Sequence, residues 1–299
     1  MRRSKVVLAS LLVASPAVAD DAPVAPAEPP LRMVDRPFSL RESAMTAYGS
    51  IDVVGATFGM SDISQYQMRV GGAYGVTKEL SLGGEYGFPF AGDGTDNIVG
   101  RGPLHLYGLY QLMQDDSLSV AVVAAFQANL AGAIDMMSGD PVTTKAISAG
   151  FDIRYKLTSD FALFSGSPFG PAVPGTLAGL QVAGFPARGT QQHFSMSLED
   201  NGPILFDVPI GFGFQATDEL FAYADTILAS VAISNSPYKE MSGQEKSTVF
   251  FGGDDLKYPL HVGAFYAMDK SIDIGGALLT NLDAVGDLYV VSIAARWTN

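Results

Sequence analysis

Hydrolytic chemistry needs a base beside a nucleophile, and this chain offers three imidazoles, His105, His193 and His261. His105 and His261 alternate with apolar neighbours, which makes them inward hydrogen-bonding groups rather than general bases. His193 precedes a strand-like stretch carrying Ser195 and Ser197, but no nucleophile elbow presents either serine. No His-Glu-x-x-His or comparable spacing supplies a metal site, and the absence of cysteine removes thiolate ligands and disulfides together. Gly252-Gly253-Asp254-Asp255 lacks the spaced oxygen ligands of a calcium loop and reads as a turn or bulge. The glycine pairs at 71–72, 83–84 and 275–276 fall within strand-like stretches, where they mark tight curvature or close packing rather than a phosphate cradle. The chain is therefore expected to work without cofactor, metal or catalytic residues.

The remaining chemistry is charge. Asp52, Arg69, Glu85, Asp152, Arg154, Lys156, Asp225, Lys257, Asp273 and Arg296 each occupy the polar side of an alternating segment. With His105 and His261 they form the candidate lining of an interior. Two readings of that lining stay open. It selects among small solutes in a narrow conduit, or its five acids and five bases satisfy one another in a nearly closed space. Arg69 and Glu85 are expected to approach across one wall, and loss of Arg69 to shift ion preference more than stability.

The elements that position these residues follow one theme. Short polar turns, Thr77-Lys78-Glu79, Gln114-Asp115-Asp116, Thr158-Ser159-Asp160, Thr217-Asp218-Glu219 and Asp269-Lys270-Ser271, are each flanked by alternating stretches. Longer connections at 91–101, 131–143, 166–201 and 235–245 are rich in Gly, Pro, Ser and Asp. Five hairpins and one further strand at each end predict twelve strands, near 47–58, 65–76, 80–90, 102–113, 117–130, 144–157, 161–169, 203–216, 220–233, 256–268, 272–282 and 288–297. The seventh is the weakest, because Pro168 and Gly170 interrupt it. Alternation sets Leu82, Tyr86 and Phe90 against Ser81 and Glu85, and Phe151, Ile153 and Tyr155 against Asp152 and Arg154. The longest connection, 166–201, either folds inward as a constriction or lies over the rim.

Alternation also suits a soluble β-sandwich or a lipocalin-like barrel. Those folds put their polar face in water, whereas the polar positions here are rich in Gly, Ala and Ser. Charged residues make up 16% of the chain, against about 25% in soluble domains. No apolar run reaches the 18 or so residues of a membrane helix outside the leader. An all-β transmembrane antiparallel barrel, with short periplasmic turns and long extracellular loops, fits all of these observations.

Arg2, Arg3 and Lys5, the apolar stretch 6–14, and Ala17-Val18-Ala19 have the order of a secretory leader. The expected organisation is a signal peptide at 1–19, a partly disordered periplasmic segment at 20–45 and an outer-membrane barrel at 46–299. Without the three leader bases, 15 basic residues face 31 acidic ones, a balance that repels nucleic acid.

The last strand sets Tyr289, Val291, Ile293, Ala295 and Trp297 at alternate positions, followed by Thr298 and Asn299. It resembles the C-terminal signal by which Gram-negative outer-membrane barrels reach their assembly machinery. The hairpin Tyr74-Gly75-Val76-Thr77-Lys78-Glu79-Leu80-Ser81-Leu82-Gly83-Gly84-Glu85-Tyr86-Gly87-Phe88-Pro89-Phe90 resembles that of outer-membrane transporters associated with aromatic-compound (phenol meta-cleavage) pathways. These likenesses imply a porin-like barrel in the cell outer membrane, with outer-membrane lipids and the barrel assembly machinery as partners and a small solute as ligand. The expected function is passive passage of small solutes. The alternatives are a non-conducting structural or adhesive barrel and, third, an outer-membrane lipid hydrolase.

Overall fold

The computed structural model describes residues 32–58, 61–92, 101–131, 133–134, 141–142, 145–167, 193–198, 204–233, 249–251, 259–281 and 288–299. All five short turns close with the same device. The first side chain of each accepts the backbone N–H groups two and three residues on: Thr77 from Glu79 and Leu80, Asp115 from Ser117 and Leu118, Thr158 from Asp160 and Phe161, Thr217 from Glu219 and Leu220, and Asp269 from Ser271 and Ile272. Short Thr and Asp side chains make such bonds readily and so specify a turn without glycine. At Asp115 these donors hold the carboxyl below the usual carboxylate range. The second turn sits one residue later than the sequence predicts, because Gln114 still pairs with Ser119 in the ladder.

Between turns the described residues form twelve wall strands, and Val249–Phe251 adds a short antiparallel piece at the far end of the ninth. β1 is Met45–Phe58, β2 Ser61–Gly75, β3 Leu80–Gly92, β4 Arg101–Gln114, β5 Leu118–Ala131 and β6 Lys145–Lys156. The seventh strand, β7, comprises Phe161–Ser165 and Phe194–Ser197. β8 is Ile204–Gln215, β9 Leu220–Ile233, β10 Pro259–Ala267, β11 Ile272–Asn281 and β12 Leu288–Thr298. Each pairs antiparallel with its sequence neighbours, and β1 pairs with β12 from Thr46↔Thr298 to Ala56↔Leu288, closing the barrel. Asn299 reinforces this seam: its N–H donates to the Met45 carbonyl and its side-chain oxygen accepts the Met45 N–H.

The seventh strand departs from a single run, and the loop expected at 166–201 is interrupted accordingly. Phe161–Ser165 covers the turn-side part of β6 and β8, pairing Ile153 with Ser165 and Gly211 with Phe164. Phe194–Ser197 covers the other part, pairing Ala149 and Phe206 with Phe194. The chain leaves the wall at Gly166, whose φ of +84° suits glycine and whose missing Cβ would stand 2.3 Å from the Phe151 carbonyl oxygen. His193 spans the interval. Its Nδ1 accepts the Phe151 N–H and its carbonyl accepts the Asp207 N–H. Pro209, which has no N–H to donate, stands at the adjoining bulge.

The two faces divide as the alternation predicts. Ile51, Tyr66, Val70, Leu82, Tyr86, Phe90, Phe151, Phe212 and Ile293 are exposed on the outside, while Ser50, Gln67, Arg69, Glu85, Asp152 and Ser292 are buried. Glycine shapes the inner face. A Cβ on Gly71, Gly83, Gly211, Gly213, Gly263 or Gly275 would stand within 2.6 Å of Tyr48, Tyr107, Phe164, Phe221, Tyr223 or Phe265 respectively. The inward aromatics thus pack against the wall of a neighbouring strand, which supplies the reason for the inward member of each glycine pair, Gly71, Gly83 and Gly275. At Gly213 the Phe221 ring is 2.2 Å from the missing Cβ. Gly213→Val is expected to destabilise the barrel by about 1–3 kcal/mol through overpacking. Adding Phe221→Ala should restore part of the loss, read as the folded fraction in unboiled gels; no rescue would reject this packing argument.

Candidate functional site

Three of the expected lining groups meet on β1 to β3. Arg69 grips Asp52 bidentately, with Nε 2.5 Å from Oδ2 and Nη2 2.9 Å from Oδ1, and its Nη1 lies 3.5 Å from Glu85 Oε1. All three are buried, so each charge depends on the others in place of water. His105 on β4 is opposite Glu85 in the ladder, and its ring centroid is 5.4 Å from that of Tyr107.

A second pair joins β9 to β10. Asp225 and His261 are ladder partners, and Asp225 Oδ2 is 3.0 Å from His261 Nδ1. His261 Nε2 lies 3.3 Å from the Tyr223 hydroxyl. Towards the turn end, Phe221, Tyr223 and Phe265 stack with centroids 6.5 and 6.2 Å apart. A third group joins β11 to β12, where Asp273 accepts Arg296 Nη2 at 2.6 Å and Arg36 Nη1 at 2.7 Å.

On β6, Asp152, Arg154 and Lys156 alternate onto one face but serve different partners. Asp152 accepts the Ser167 N–H at 2.7 Å. Arg154 donates to the carbonyls of Met33 and Arg36 and stacks 4.9 Å above the Phe38 ring. Lys156 pairs with Asp35 at 3.0 Å. Lys257 lies outside the described residues.

Three of these wall groups, Arg154, Lys156 and Asp273, are thus engaged by residues 32–44, which cross the barrel interior at its short-turn end. A 3-10 turn, Met33–Asp35, buries Met33 and Val34 against Ala162, Phe164, Phe221, Tyr223 and Phe265. Phe38 packs on Leu109 and Ala121 from the opposite side of the mouth. Two glutamines hold the crossing main chain. Gln111 Nε2 donates to the carbonyls of Met113 and Val120, which turns its Oε1 towards the N–H groups of Phe38 and Ser39 at 3.0 and 3.3 Å. Gln215 donates to Thr217 and Asp218 and accepts the Val34 N–H at 3.2 Å. The Leu40 N–H adds a bond to Ser81. Sequence reasoning missed this crossing and its anchors. The available signal was the apolar set Met33, Val34 and Phe38 among Arg32, Asp35 and Arg36, just beyond the Ala- and Pro-rich stretch.

Among the described residues one Ser-His contact is seen, and it is wired against base catalysis. His193 Nε2 is 3.0 Å from Ser165 Oγ. Because Nδ1 accepts a backbone N–H, the proton sits on Nε2, which donates to the serine while the serine hydroxyl donates to the Pro209 carbonyl. Among the described residues no cluster of His, Asp or Glu could hold a metal ion.

No protein-family model matches the chain, and no curated protein matches it in sequence. Solved structures do resemble it. An outer membrane channel from Pseudomonas putida F1 superimposes with a TM-score of 0.51 at 9% identity, over 93% of this chain and 100% of that one. The NanC porin (TM-score 0.45, 9% identity) and the KdgM porin (0.43, 7%) each match 83% of this chain and 98% of their own. At these identities the likeness is one of fold, and it rests on the first: this chain folds as a twelve-stranded closed antiparallel barrel like that of an outer membrane channel.

Proposed function

We propose that this chain is a passive channel for small solutes in the outer membrane of a Gram-negative cell, with its leader removed and its short turns facing the periplasm. The observation that carries this reading is the inversion of the two faces. Large apolar side chains are exposed on the outside of the wall, where lipid would cover them, and the buried inside carries charged and polar groups beside aromatic ones. Asp52, Arg69, Glu85, His105, Asp152, Arg154, Lys156, Asp225, Lys257, His261, Asp273 and Arg296 would line a narrow passage of mixed charge. Outer-membrane lipids and the barrel assembly machinery are its proposed partners. The inward aromatics Tyr48, Tyr107, Tyr223 and Phe265, with the likeness of the 74–90 hairpin to transporters of aromatic compounds, make small aromatic molecules the first solutes to test.

The crossing of residues 32–44 favours a second reading, a non-conducting structural barrel, because it fills the short-turn mouth. Conductance separates the two. Purified protein is expected to require detergent, to migrate differently in gels before and after boiling, and to give discrete conductance steps in planar bilayers. A barrel that assembles and never conducts, with residues 32–44 seated or released from the mouth, would reject the channel reading.

A further inference from the structure

The geometry points to residues 32–44 as a displaceable plug that gates the periplasmic mouth by swinging on a fixed pivot at residues 41–44. This inference rests on the channel reading and names how that channel is regulated.

The pivot is well anchored. The Ser43 N–H donates to the Gly75 carbonyl, the Gly75 N–H donates to the Ala44 carbonyl, and the Ala44 N–H donates to the Arg41 carbonyl. Ser43 adopts a φ of +62°, and a Cβ on Gly75 would stand 1.9 Å from the Arg41 carbonyl oxygen. The chain therefore turns sharply here, tied to the end of β2, before it enters β1. Arg41 adds a bond to the Asn299 carbonyl.

Beyond the pivot the grip changes in kind. The wall holds the crossing main chain through side chains, Gln111, Gln215, Ser81 and Arg154. These bonds can be broken one at a time without unpairing any wall strand. The Gln111 amide is oriented by the Met113 and Val120 carbonyls at the bulge between β4 and β5, and the Gln215 amide by the turn carbonyls of Thr217 and Asp218, so each acceptor stays aimed at the mouth whether or not the plug is there. At the rim, Arg32 pairs with Asp160 and Asp218, whose side chains are 49% and 71% exposed. Ion pairs so open to water are weak and screened by salt. Deeper in, Asp35–Lys156 and Arg36–Asp273 fix the angle of the crossing. The apolar ends, Met33 and Val34 on one side and Phe38 on the other, seat in separate clusters on opposite walls. The plug thus spans the mouth, and the same glutamines can receive it again after release.

The chain has no cysteine, so an introduced pair reports one contact. In the full-length protein, Phe38→Cys with Ala121→Cys ties the plug to its seat through a thiol-specific crosslinker short enough for that contact, with closure verified by thiol counting. A cleavable, disulfide-forming crosslinker makes the tie reversible. The crosslinked protein is expected to show no conductance steps in a planar bilayer, and reduction should restore them. In a separate variant, Gln111→Ala with Gln215→Ala should raise the open fraction about tenfold or more, since three hydrogen bonds to the plug are lost. A crosslinked protein that conducts as the reduced one does would overturn the plug while leaving the channel standing. Silence of every form, including the glutamine variant in its correctly assembled state, would overturn the channel and the gate together.

Discussion

Arg69→Ala is expected to prevent recovery of the folded barrel rather than to retune it. The guanidinium is 1% exposed and is shared by Asp52 and Glu85. Removing it leaves two buried carboxylates without their countercharge, and breaking a buried pair in this way costs about 3–5 kcal/mol. That is a large share of the 5–15 kcal/mol by which folded domains are typically stable. The burial of this triad argues against the expectation, drawn from sequence, that loss of Arg69 bears on ion preference more than on stability. That expectation paired Arg69 with Glu85 alone and left out Asp52. The check is the fraction of unboiled protein running in the folded position, for Arg69→Ala and for Arg69→Met with Asp52→Asn and Glu85→Gln. The triple variant removes the uncompensated charges and should recover much of the folded fraction. Wild-type yield from Arg69→Ala alone would refute the argument.

The second large effect belongs to the outer face. Ile293 is the central residue of β12 and is 67% exposed, next to Ile51 on β1 in the ladder. If lipid covers this face, Ile293→Arg places a cation near the bilayer midplane, at a cost of about 2–4 kcal/mol that falls to about 0–1 kcal/mol near the interface. Ala47→Arg, on the outer face near the turn end of β1, supplies the comparison. Assembly into liposomes should fail or slow for Ile293→Arg and proceed for Ala47→Arg. Equal assembly of the two would mean that the exposed apolar band does not face a membrane.

How much of this was legible depended on whether the cause was local. The turns were, because Thr77, Thr158, Thr217 and Asp269 act within three residues of themselves, and so were the faces, because a period of two is written into each strand. Asp225–His261 and Asp273–Arg296 were legible as members of a lining, since each occupies an inward position, but not as pairs. Pairing depends on register between strands that are not always joined by a short turn. The crossing at 32–44 was hidden for a further reason. Its partners Gln111, Gln215 and Ser81 are ordinary polar residues until the barrel closes and aims them at one point. The return of Phe194–Ser197 to the wall was partly visible as a strand-like stretch. Its place beside Phe161–Ser165 was not, because 28 residues separate them.

That separation also bears on the order of assembly. Eleven wall strands can zip against a neighbour joined by a turn or a moderate loop, or along the terminal seam, but the seventh must retrieve its second piece across those 28 residues. Relative to a turn of a few residues, closing that stretch costs about 2 kcal/mol more in chain entropy, and among the described residues the bonds of His193 to Leu198 with β6 and β8 offset it. Contacts formed across long separations come late in folding. The wall would therefore seal fully between β6 and β8 only after the hairpins at Thr158 and Thr217 have formed, and the His193 bonds to Phe151 and Asp207 would follow them.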